Sequence, residues 1–185
     1  MTTITTGDQP RLTPHHASGT LSSAKHMLIV VDDSSESAKT LHYVGLLLRD
    51  IRDVTITLFH VLNPMPRELM EHGGSENPDT EARLSAQLRQ AQEEWVRTEE
   101  ALEYPILIKA LEELGQTGFP LDRVSLKLGH ERDVADTIID EVHGGEYGTL
   151  VVTRYARGSG RRLFGYGMID RLMRELPGTA VWIVG

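Results

Sequence analysis

The residues best suited to chemistry lie between Thr149 and Ile169, in the stretch TLVVTRYARGSGRRLFGYGMI. Arg154, Arg157, Arg161 and Arg162 fall there with no acid among them, interleaved with Gly158, Gly160, Gly165 and Gly167. Glycine lets backbone N–H groups approach a ligand, and the guanidinium fork matches phosphate or carboxylate oxygens. The apolar run Leu150-Val151-Val152 just before reads as a strand buried on both faces. Ile169, Leu172, Met173 and Leu176 just after have helical spacing. A glycine- and arginine-rich loop running from a buried strand into a helix N-terminus suits an anion, phosphate first, because unpaired N–H groups and the helix dipole favour negative charge there. A solvated basic loop is the competing reading of the same residues.

A second group of the opposite charge closes the first apolar run, Met27–Val31, with Asp32-Asp33. Adjacent acids at the carboxyl end of a strand can hold Mg²⁺ or the polar edge of a nucleotide; either can instead cap the helix that the following serines announce. LIVVDDS also resembles the opening of a receiver domain, which would make the chain a phosphorylation signalling module binding Mg²⁺ through Asp32 and Asp33. A receiver needs an acceptor Asp at the end of its third strand and a lysine on its fifth. The positions four residues before Pro66 and Pro64 hold Leu62 and His60, and the last strand, TAVWIVG, has no lysine. His60 inside VTITLFHVL reads as a satisfied structural residue, and His42, His130 and His143 share no metal-ligand spacing. Neither a catalytic residue nor a metal site is assigned.

The rest of the chain must position these two groups. Its 185 residues carry a formal net charge of −8, which argues against nucleic acid or an anionic membrane surface as partner. Apolar runs stop at four or five residues, short of the roughly 20 that a membrane-spanning helix needs. With no cysteine, thiol catalysis, disulfides and thiolate metal sites are excluded, and a reducing cytoplasm fits. Residues 1–25, rich in Thr, Ser, Pro and Gly, read as a disordered tail, and 26–185 as one domain.

Within that domain, strands and helices alternate. After Met27–Val31 comes a helix bearing Ala38, Leu41, Val44 and Leu48, then a strand over Val54–Leu62. Residues 64–80 read as a loop with one helical turn at Arg67–His72. A long helix follows, capped around Asp79–Glu81, whose stripe of Leu84, Leu88, Ala91, Trp95, Thr98 and Leu102 is expected in the core. Pro105 is expected to kink or break it before it resumes to Leu114. Val124, Leu126 and Leu128 alternate as a strand ending at Gly129; a helix from Val134 stops at Gly144-Gly145; strands at 149–153 and Ala180–Val184 flank the last helix. Such alternation predicts an α/β domain with a parallel sheet and right-handed crossovers, with ligands beyond the carboxyl ends of the strands.

LIVVDDSSESAKTLHYV, TLFHVLNP, LGHERDVADTIIDEV, TLVVTRYARGSGRRLFGYG and TAVWIVG, in this order, resemble the universal stress protein family over most of residues 27–185. The resemblance implies a five-stranded parallel sheet in an open sandwich with helices on both faces, of the adenine-nucleotide alpha hydrolase-like type. It also implies a small cytoplasmic stress-response or regulatory protein, no conventional enzyme, and a homodimer through the C-terminal strand 180–184; no protein partner is identified. In members that bind ATP, the acid ending the first strand and backbone groups ending the second hold the adenosine, positions that match Asp32 and Val61. The family's phosphate motif of Gly, two residues, Gly, nine residues, then Gly and Ser or Thr falls on Arg154, Arg157, Gly167 and Met168. Only Gly167 is kept, with Gly158 one residue beyond the second position and Gly160 in the same loop. The resemblance therefore implies weak binding of ATP or another adenine nucleotide, or none, and leans toward the branch that does not bind ATP.

Overall fold

The computed structural model describes residues 24–70, 77–130, 133–154 and 166–185. The tail assigned to 1–25 lies almost wholly outside these residues, and so does the loop 155–165 with Arg157, Gly158 and Gly160. The elements run β1 (His26–Val30), α1 (Ser35–Leu48), β2 (Thr55–Val61), the short α2 (Arg67–Met70), α3 (Pro78–Gln116), β3 (Val124–Gly129), α4 (Val134–Gly144), β4 (Thr149–Thr153), α5 (Tyr166–Glu175) and β5 (Ala180–Val184). All five strands are parallel in one sheet of order β3-β2-β1-β4-β5.

Alternation along the strands divides the core into two layers. Met27, Ile29, Ile56, Leu58 and Val151 face α1 and α3, packing on Leu41, Val44, Leu107 and Leu114. Leu28, Val30, Phe59, Leu150 and Val152 face the other way, onto Ile138 and Val142 of α4 and Leu172 of α5. The inner strands are apolar on both faces because both are covered by helices. β3, at one border, keeps the alternation read from sequence, with Ser125 and Lys127 exposed between half-buried Val124, Leu126 and Leu128. Gly129 ends that strand where a Cβ would stand 2.5 Å from both the Phe59 ring and the Thr137 methyl, so a side chain there would push α4 off the sheet.

Three expectations are corrected. The long helix is capped by Asn77, whose side chain accepts from the N–H groups of Asp79 and Thr80, with Pro78 in its first turn. It continues through Pro105, which is exposed, so the break expected there does not occur. Its apolar stripe is not core: the buried residues of α3 are Leu107, Ala110 and Leu114, while Leu84 and Leu102 remain 40% and 67% exposed. Of the apolar residues at helical spacing on the last helix, Leu172 and Leu176 are buried and Met173 is exposed.

Candidate functional site

From β1 the chain goes to β2 and β3 on one side of the sheet, whereas β4 and β5 lie on the other. β1 and β4 are therefore the adjacent strands at the topological switch point, and the helices that follow them, α1 and α5, pack on opposite faces of the sheet; the carboxyl ends of such a pair are where open α/β sheets usually form a ligand crevice. Asp32 lies just beyond the end of β1 and Arg154 just beyond that of β4.

Asp32 is 7% exposed and tied to the start of α1 by hydrogen bonds. The Ser34 N–H (3.0 Å) and hydroxyl (2.5 Å) both donate to its Oδ1. The Ser37 N–H donates to Ser34 Oγ at 3.0 Å, and the Asp32 N–H returns to Ser37 Oγ at 3.2 Å. Ser34 is thus the N-cap of α1, and neither aspartate is; Asp32 holds the cap and Asp33 is exposed. An ionised carboxylate only accepts hydrogen bonds, so a hydroxyl donor is the kind of group that Asp32 suits.

β4 is fixed to the same helix. The Thr153 hydroxyl donates to that of Thr40 at 3.0 Å, both fully buried, so the start of the arginine loop and the first turns of α1 move together. Arg154 turns to the outer strand: its N–H donates to Val184 O at 2.7 Å and its guanidinium to Gly185 O at 3.0 Å. The residue on the first glycine position of the family's phosphate motif thus engages the last residue of the chain with its side chain.

Val61 is the last residue of β2 and is buried. Beside it, His60 is satisfied as expected, with Nδ1 2.8 Å from the Val31 carbonyl and Nε2 3.0 Å from Glu103 Oε2. The carbonyl can only accept, so Nδ1 is the donor of that bond. Asn63 donates to Glu99 and Glu103, extending this polar seam from the end of β2 onto α3. Gly167 lies in the first turn of α5, exposed, and a Cβ added there meets nothing within 4 Å. Among the described residues, Asp32 and Val61 thus follow or end the neighbouring parallel strands β1 and β2, and Gly167 lies in the first turn of α5. Arg157, Gly158 and Gly160 lie outside the described residues. Among the described residues no group of three His, Asp or Glu side chains is arranged to hold a metal ion.

Ser37, Thr40, Thr153 and Glu103 escaped sequence reasoning. Ser37 and Thr40 lie three apart on the helix face that the apolar pattern marks as buried, which is a usable signal. Glu103 stands 43 residues from His60 and carries none.

The universal stress protein family model matches residues 23–184. The chain belongs to the universal stress protein family. Solved structures of this family share its fold. One from Archaeoglobus fulgidus aligns at a TM-score of 0.52 and 14% identity, covering 86% of this chain and 93% of that one. A universal stress protein in complex with cAMP aligns at 0.56 and 15%, covering 88% and 98%. One from Burkholderia pseudomallei gives 0.52 and 14%, covering 88% and 96%. No curated protein sequence matches the chain. The fold is the adenine-nucleotide alpha hydrolase-like one expected of a universal stress protein. Its strand order departs from the 2-1-3-4-5 order of receivers, which removes the topological basis of the receiver reading.

Proposed function

We propose that this universal stress protein is a small cytoplasmic regulatory protein that works as a homodimer and binds an adenine nucleotide weakly at the β1/β4 crevice. The observation that carries the reading is Asp32, a buried carboxylate at the topological switch point. A ribose presents hydroxyl donors, which is the chemistry such a carboxylate accepts. Asp32 would hold the ribose, and backbone groups at Val61 the base. The phosphates would meet the N–H groups around Gly167 together with Gly158, Gly160 and Arg157 of the preceding loop. A neighbour of the same fold was solved with cAMP, which supports an adenine nucleotide as the ligand class. Affinity is expected to be low because arginines stand at two of the loop's glycine positions and Met168 supplies no hydroxyl; one lost hydrogen bond to a charged oxygen is worth about 1.5–3 kcal/mol.

For the dimer, β5 is the support. It borders the sheet, has no charged residue, and leaves Ile183 42% exposed. An apolar edge of this kind pairs readily with a second copy across a two-fold axis.

Melting-temperature shifts with ATP, ADP, AMP and cAMP test the nucleotide. The expected result is a small shift at millimolar ligand that disappears in Asp32→Asn, which keeps an acceptor for Ser34 and loses the charge. A shift unchanged in Asp32→Asn would remove Asp32 from the site.

A further inference from the structure

The apolar stripe of α3 has no place in the core, and its spacing identifies what it fits. Leu84, Leu88, Ala91, Trp95, Thr98 and Leu102 follow one another at intervals of four, three, four, three and four residues. This is a heptad repeat of about 3.5 residues, the period of a helix that packs along another helix. The face that α3 turns to its own domain is different. Gln92 donates to the Leu69 carbonyl, Glu99 and Glu103 accept from Asn63, and Leu107 and Leu114 are buried. At 3.6 residues per turn the stripe lies about a quarter turn away from that face. It leaves Leu102 67% and Leu84 40% exposed, with Leu88, Ala91 and Trp95 half-buried between them.

We infer that this stripe docks a second copy of itself, the two α3 helices running antiparallel. The spacing reads the same in both directions, so one antiparallel register places Leu84 opposite Leu102, Leu88 opposite Thr98, and Ala91 opposite Trp95. The smallest apolar side chain then faces the largest, as interdigitating layers require. Charge selects the direction. In residues 79–89, Arg83 and Arg89 balance Asp79 and Glu81, whereas in 93–103 Arg97 is outnumbered by Glu93, Glu94, Glu99, Glu100 and Glu103. Parallel pairing would set the glutamate-rich halves against each other; antiparallel pairing sets each against the half that carries Arg83 and Arg89. The chain's own first 23 residues are a poorer occupant, since Ile4, Leu12 and Leu21 follow no heptad spacing. The contact spans 19 residues, about 27 Å of helix, and is separate from any pairing through β5.

The absence of cysteine gives a clean test. Leu84→Cys and Leu102→Cys are made as single variants at these exposed positions, mixed in equal amounts at tens of micromolar (the range in which weak dimers associate) and oxidised mildly. Antiparallel docking brings positions 84 and 102 of two copies within disulfide reach and holds like positions about 27 Å apart. The mixed 84–102 disulfide should therefore exceed both symmetric ones by at least about ten-fold, the ratio that 1.4 kcal/mol of register preference gives. It should also persist in an Ile183→Lys background, which keeps the result apart from pairing through β5, and be lost with Leu88→Glu while helix content stays unchanged. Statistical proportions of the three disulfides, a predominance of symmetric ones, or cross-linking no greater than in denaturant would overturn the inference.

Discussion

The two outer strands of the sheet are guarded in opposite ways. β3 presents Ser125 and Lys127 to solvent, and the Lys127 ammonium is held 2.6 Å from Glu141, whose carboxylate also accepts from the Tyr147 hydroxyl at 2.9 Å. An outward lysine on a border strand discourages a second strand from adding to it. β5 has no such residue: Ala180-Val181-Trp182-Ile183-Val184 is apolar throughout, with Trp182 and Val184 resting on the core and Ile183 facing out. A border that must stay single carries charge and an anchoring network, whereas a border left bare is suited to a partner. Between them, β1, β2 and β4 are shut off from water on both faces.

The comparison breaks most severely from the inside. Val151 on β4 is fully buried next to β5, and Val151→Asp places an unpaired charge in the sheet interior. The expected outcome is loss of the cooperative melting transition. Ile183→Lys gives β5 the guard that β3 has; in a Leu88→Glu background, which removes any pairing through α3, sedimentation should show the β5 dimer replaced by monomer, with the melting transition of the domain retained. Lys127→Val performs the reverse exchange. It removes the cation from a Glu141 carboxylate that is only 10% exposed, at an expected cost of about 1–3 kcal/mol in urea unfolding. The smallest effect concerns Tyr147, whose hydroxyl pKa is raised above its usual value of 10.0, first by burial and then by its bond to Glu141, with Thr57 opposing. A folded-state pKa above the unfolded one means that this contribution to stability is complete below about pH 10 and fades as pH rises through the raised value. The urea midpoint should fall from pH 9 to pH 11 less steeply in Tyr147→Phe than in the parent chain.

How far the sequence carried this account differs by element. Leu28-Ile29-Val30-Val31, Leu150-Val151-Val152 and Ala180–Val184 were readable as strands because an apolar run between turn residues leaves little else, and the burial of the first two sets follows. Family membership came from five ordered segments together. The stripe on α3 was misread because heptad spacing states that a face is apolar and does not state which surface it meets. The break expected at Pro105 does not occur because the proline is exposed, where the carbonyl that loses its N–H partner can turn to water. At the site, Asp32 was found from its place after an apolar run. Its anchoring by Ser34 and Ser37, the Thr40–Thr153 bond and the His60–Glu103 seam depend on side-chain directions and on contacts across 43 and 113 residues, which no local pattern encodes.

Calorimetric titration of ATP at low and at high salt tests the central claim most directly, namely that an adenine nucleotide is held at the β1/β4 crevice by Asp32 with the arginine loop at its rim. Exposed arginines bind phosphate modestly and through interactions that salt screens. The account predicts dissociation constants of roughly 0.1–1 mM at low salt, weakened by high salt and by Arg161→Ala/Arg162→Ala, and abolished by Asp32→Asn. Tight binding that is indifferent to salt and unaffected by Asp32→Asn would contradict it.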